Sequence, residues 1–158
     1  KVFTFLEQGL INDLINEHNI DPAKRVLQKS LAAELTIYVH GEEEYKKAHE
    51  TTQTLFSQQN APAESLSVED LERMEGIVHV DFPREKLLNG IDAVSFLSDT
   101  SIFQSKGEAR KMIQNGGVSI NRNKIASATE QISENQLLHN KYLLVQKGKK
   151  NYYLVSAK

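Results

Sequence analysis

The stretch from Ser105 to Ile125, "SKGEARKMIQNGGVSINRNKI", constrains the fold more than any other part of the chain. Its apolar period changes from helical to strand-like across a pair of glycines. Ser105 and Glu108 have the S-x-x-E spacing of a capping box, in which each side chain takes up a free backbone N–H of the other residue. Ala109, Met112 and Ile113 then fall in one sector of a helical wheel and face a core. Asn115-Gly116-Gly117 ends that helix and turns the chain. Beyond it Val118 and Ile120 point inward while Ser119 and Asn121 point outward, the alternation of a strand. Arg122-Asn123-Lys124 makes the next turn, and Ile125 returns to the core. A helix joined this tightly to a strand predicts a mixed α+β unit.

The same stretch carries five basic residues and one acid in a chain of net charge −2. Lys106, Arg110 and Gln114 recur every fourth residue and so stack in one exposed stripe, with Lys111 beside it. The imbalance extends further. Residues 1–104 hold 9 Lys/Arg against 18 Asp/Glu, a charge of −9, whereas residues 105–158 hold 10 against 3, a charge of +7. Such asymmetry suggests that the last third meets a polyanion; a solvated lysine-rich surface is the competing reading. Arginine and lysine set among asparagine and glutamine suit contacts to phosphate and sugar that demand no base sequence.

The remainder reads as helices, a polar stretch and short strands. Residues 4–18 show Leu6, Leu10, Ile11, Leu14 and Ile15 at helical spacing. Asp21-Pro22 opens a second helix running to about Val39, and His40-Gly41 ends it. A third runs from Glu42 to about Leu55, with three acids in its first turn suiting the helix dipole. Residues 57–65, "SQQNAPAES", hold no large apolar side chain and read as a linker. Ser67–Glu75 is a short S-x-x-D-capped helix, "GIVHVDFP" a strand, "PREKLL" a helical turn, and 90–103 a helix. "KYLLVQKGKKNYYLVSAK" predicts a hairpin around a Lys-Gly-Lys turn. The chain has no cysteine, which excludes disulfides and thiolate metal sites. It opens on Lys1, so a piece of a longer protein is the expectation. His40 and His49 lack metal-ligand spacing, and the catalytic and metal sets are expected to be empty. Tyr142, Tyr152 and Tyr153 could stack bases, although alternating strand positions favour core packing.

Ser105, Lys106, Ala109, Arg110, Lys111, Ile113, Gly116, Gly117, Val118 and Asn121 closely resemble the signature helix-turn-strand of S4-like RNA-binding modules. Gly107 departs from that pattern, standing where many such modules have serine or a larger residue. The last hairpin is similar to that of the module in bacterial-type tyrosyl-tRNA synthetases. "DPAKRVLQKSLAAELTIYVHGEEEYKKA" and "FTFLEQGLINDL" resemble the segments that follow the catalytic domain in that family. The resemblance implies an α+β protein: a small helical anticodon-arm domain at 1–57, a linker at 58–89, and an S4-like (αL-type) RNA-binding domain at 90–158 with a C-terminal β-hairpin. It implies binding of tRNA-Tyr through its anticodon arm and long variable arm, two contacts that gain affinity by being joined. Structured group I intron RNA, bound by some fungal mitochondrial relatives, is an alternative partner, and a protein–protein interaction module is another. The family's catalytic motifs resemble His-Ile-Gly-His and Lys-Met-Ser-Lys-Ser. Neither occurs here, so ATP and tyrosine are expected to bind elsewhere, with no cofactor in this stretch. RNA-binding roles carry over to Ser105, Lys106, Arg110, Lys111, Gln114, Asn121 and Lys124. Arg122 is added on turn geometry, and Lys147, Lys149 and Lys150 as a basic hairpin tip. The expected setting is the mitochondrial matrix, with the bacterial cytoplasm as the alternative. The fragment is expected to be monomeric and the full-length protein a homodimer.

Overall fold

The structure, a computed structural model, describes residues 4–53, 55, 61–74 and 76–158. It falls into two compact units, Lys1–Thr52 and Gln53–Lys158.

The first unit is three helices: α1 (Gln8–Ile20), α2 (Val26–His40) and α3 (Glu42–Thr52). Helix α1 starts later than the apolar spacing predicts, because residues 4–7 are not helical. Asp21 accepts a hydrogen bond from Ala23 N at 3.1 Å, as expected of a cap, but it caps only a 3-10 turn at Pro22–Lys24. Arg25 then takes a left-handed conformation at φ 54°, and α2 proper begins at Val26. Gly41 at φ 90° ends α2, a conformation that glycine adopts without a Cβ penalty. Helix α3 ends at Thr52, and Gln53 and Leu55 follow as π-helix, in line with the expected end near Leu55. No residue of α1 or α2 is buried. Of the α1 stripe, Leu6, Ile11 and Leu14 are half-buried, while Leu10 and Ile15 are exposed.

The second unit is built on a five-stranded sheet of order β1-β7-β6-β3-β4, from β1 (Val78–Phe82), β3 (Val118–Ile120), β4 (Asn123–Lys124), β6 (Tyr142–Lys147) and β7 (Asn151–Ala157). β6 and β7 form the expected hairpin, with Val145 opposite Tyr153. β1 pairs with β7 in parallel, Val78 opposite Tyr153 and Phe82 opposite Ala157. Strand alternation gives the sheet two apolar faces. Leu143, Val145 and Val155 pack with Phe96, Phe103, Ala109 and Ile113. Tyr142, Leu144, Tyr152 and Leu154 pack on the other side with Leu66, Leu71 and Met74. The first of these layers contains α6 (Ala93–Asp99) and α7 (Lys106–Gln114); the second contains α4 (Val68–Arg73).

That arrangement corrects the reading of 58–89 as a linker. Residues 56–60 lie outside the described residues, but Ala63, Leu66 and Leu71 are buried and β1 belongs to the sheet. A polar lead-in at 57–65 hid a segment whose buried apolar side chains serve both layers, Leu66, Leu71 and Met74 in one and Phe82 and Leu87 in the other. The helix expected at 90–103 is also shorter. Ile91–Asp92 (β2) pairs antiparallel with Gln131–Ile132 (β5). Asp92 then caps α6, accepting from Ser95 N at 2.9 Å. The short α5 (Glu85–Leu88) comes after Pro83 as expected.

Candidate nucleic-acid interface

Helix α7 is set by local chemistry. Ser105 Oγ accepts from Glu108 N at 3.2 Å, and the Glu108 carboxylate accepts from Gln104 N at 3.2 Å. Ala109 and Ile113 lie at 0% and 2% exposure under the helix. At its end, Gly116 N donates to Ile113 O at 2.8 Å and Gly117 N to Met112 O at 2.9 Å. Gly116 sits at φ 64°, and a Cβ on Gly117 would come within 2.5 Å of Met112 Sδ. The glycine pair therefore does two jobs: one residue reverses the helix and the other lets the chain pass close to it. Gly107 does neither. It has no left-handed φ, and an added Cβ would meet nothing nearer than Ser105 Oγ at 3.8 Å. Gly107→Ala is thus expected to stabilise the second unit by ~0.5–1 kcal/mol, read as a raised urea midpoint with unchanged slope.

The polar residues singled out in the sequence divide into three groups. Arg110, Lys111 and Gln114 are exposed along α7, and Lys149 and Lys150 are exposed on the β6–β7 turn. The four cations have no ion pair or side-chain hydrogen bond among the described residues. Gly148 N donates to Gly117 O at 2.7 Å, which ties the hairpin tip to the turn at the end of α7. Lys106 belongs to the same stripe but donates to Ser95 Oγ at 2.9 Å, leaning towards the start of α6.

Lys124 is exposed and also unpaired, but it lies apart from the stripe. It pairs with Ser119 in register, and Ser119 alternates with Val118 and Ile120, which pack on the α7 side. Lys124 therefore leaves β4 on the opposite side of the sheet from α7. The tight turn between α7 and β3 suggests that the helix stripe and the Arg122–Lys124 turn share one face; Lys124 does not, and it is the β6–β7 turn that the Gly148–Gly117 bond ties to the end of α7.

The third group is used internally. Asn121 is 6% exposed and left-handed at φ 49°. Its Nδ2 donates to Gln136 O at 2.5 Å, and its Oδ1 accepts from Leu144 N at 3.0 Å. Lys147 donates to Ile102 O and to Glu108, both at 3.0 Å, and lies 4.1 Å from the centre of the Phe103 ring. Hydrogen bonding to that ammonium holds the Glu108 carboxyl below its ordinary value. Arg122, half-buried, donates to Ala61 O at 2.8 Å, and burial lowers its guanidinium from the usual value. These three position the β3–β4 turn and α7 and offer an incoming ligand little or nothing. Tyr142 and Tyr152 are buried at 3% and 6% and belong to the core. The anchoring partners Ser95, Ile102 and Phe103 gave no sign in the sequence, since each acts across a long stretch of chain.

Fold and charge together define a small α+β module with a helix-borne cationic stripe running to a cationic hairpin tip. The profile of the tyrosine–tRNA ligase SYY-like C-terminal domain matches residues 74–155. The chain is 45% identical over 163 residues to the tyrosine–tRNA ligase of Bacteroides fragilis strain YCH46, covering all of this chain and 37% of that protein. It is 41% identical over 160 residues to that of Porphyromonas gingivalis strain W83 (98% and 37% covered). To that of Flavobacterium johnsoniae it is 39% identical over 160 residues (98% and 36% covered). It thus spans a little over a third of the length of these bacterial relatives. The chain belongs to the family of tyrosine–tRNA ligase SYY-like C-terminal domains.

Proposed function

We propose that this chain holds tRNA-Tyr for a tyrosine–tRNA ligase whose chemistry lies in another part of the protein. The observation that carries the reading is the unpaired stripe of Arg110 and Lys111 on α7, continuous with Lys149 and Lys150 through the Gly117–Gly148 hydrogen bond. Cations held without internal partners can each displace a counterion from an RNA phosphate. Capped at both ends, α7 carries these cations on a regular helix, which suits a regular backbone such as the variable arm. ATP and tyrosine have no place in this reading of the chain, and the full-length protein acts as a homodimer. The setting is the bacterial cytoplasm, since the relatives are bacterial and nothing supports a mitochondrial matrix.

Titrating a tRNA-Tyr transcript into the 15N-labelled chain tests this. Amide shifts should concentrate at Lys106–Gly117 and Gly148–Lys150 at low salt and fade as salt rises. Unchanged α7 amides at ~50 mM salt, where phosphate contacts are strong, would end the proposal. Competition with a group I intron transcript separates the two RNA partners, and displacement of tRNA-Tyr at equal concentration would favour the intron.

A further inference from the structure

Beside the β3–β4 turn lies a groove of about 210 Å³ that the cationic stripe does not use. Ile120, Ile125 and Leu138 lie at its base but are only 3–4% exposed, so the surface it offers is more polar than apolar. Asn123, Asn135 and Glu64 line it and are exposed. Their side chains have no hydrogen-bond partner among the described residues. The other polar groups are committed. Glu130 accepts from Ala126 N at 2.9 Å, Gln136 accepts from Ser133 N at 3.2 Å, and Asn121 is held by Gln136 O and Leu144 N.

We propose that this groove accepts one unpaired nucleobase of the bound RNA. The inference rests on the RNA-holding reading above and adds a base contact to it. Drug-sized ligands fill sites of roughly 300–1,000 Å³, so this one suits a single ring system. Two free amides offer donors and acceptors to the edge of a flat heterocycle, the way the edges of single-stranded RNA bases are read. A phosphate is disfavoured inside, because Glu64 and Glu130 both line the groove. Phosphate belongs outside it. Glu64 is an acceptor only. It favours bases with an amino group at the edge (adenine, cytosine, guanine) over uracil, whose corresponding position is a carbonyl.

The test is a titration of the 15N-labelled chain with AMP, CMP, GMP and UMP, with ribose 5-phosphate as control. The side-chain amides of Asn123 and Asn135 and the backbone amides of Ile125 and Leu137 are expected to shift. The three amino-bearing nucleotides should bind several-fold more tightly than UMP, and Glu64→Gln should narrow that gap while leaving the melting temperature unchanged. Equal shifts with ribose 5-phosphate, no shifts at these groups, or a gap untouched by Glu64→Gln would each overturn the proposal. If tRNA-Tyr binds through α7 but no nucleotide enters the groove, the base site alone is wrong. If nucleotides enter while tRNA-Tyr does not bind, the wider reading is what fails.

Discussion

Replacing Lys106, Arg110 and Lys111 together with alanine is expected to weaken binding of tRNA-Tyr by about 10- to 100-fold at ~0.1 M salt. The slope of log affinity against log salt should fall by about 2, since each lost phosphate contact removes a little under one released counterion. Two contacts rather than three are assigned because Lys106 already donates to Ser95 Oγ, and freeing it offsets part of what it gains from a phosphate. Arg110 and Lys111 give up no internal partner on binding. Their removal should therefore leave the unfolding curve in place, separating a binding effect from a folding one. Arg110→Lys, keeping the charge, should keep the slope. A triple variant with the native slope would show that the stripe is merely solvated surface.

Asn121→Ala should cost the second unit ~3 kcal/mol of stability. Two backbone groups, the buried Leu144 N–H and the part-buried Gln136 C=O, would each lose their side-chain partner, at ~1 kcal/mol apiece. Alanine at φ 49° adds about 1 kcal/mol of left-handed strain. Asn121→Asp keeps the acceptor for Leu144 N but sets a carboxylate oxygen against Gln136 O in a nearly buried site, and should cost at least as much as alanine. Asn121→Gly relieves the backbone yet leaves both groups without their partner, and should cost about 1 kcal/mol less than alanine. Urea unfolding reads all three. A loss below about 1 kcal/mol for the alanine variant would mean that water replaces the amide and the site is looser than it looks.

Asn121 also shows where sequence reasoning reaches its limit. Its place in the helix-turn-strand pattern was legible, but its expected outward position in a strand is wrong: it lies just past β3, left-handed and 6% exposed. But an asparagine reading RNA and an asparagine bracing a turn look alike until Leu144 and Gln136 are brought beside it. Lys147 is the same case: a hairpin lysine that Glu108 and Phe103 claim from another element. What the sequence shows well is chemistry acting within a few residues. The Ser105 cap, the glycine pair, the α7 stripe and the β6–β7 hairpin all arise from local spacing. It shows poorly what depends on distant partners. β1 was legible as a strand but not as the parallel neighbour of β7. The short helix after Ser67 was legible, but it was set in a linker because only a second layer at Leu144 and Leu154 gives its few apolar side chains a purpose. Lys124 was placed with the stripe because a tight turn suggests proximity, whereas pairing with Ser119 sends its side chain the other way.

The parallel pairing of β1 with β7 has a consequence for how such a chain is made. On the ribosome, Val78–Phe82 emerges long before Asn151–Ala157, the only strand it pairs with among the described residues. Until that partner clears the exit tunnel, β1 has neither of its edges covered, and Phe82 has no ladder to hold it in the core. The five strands can therefore become one sheet only late. A nascent chain stalled before Asn151 should therefore be open to proteases along its whole second unit, however well α7 has already formed.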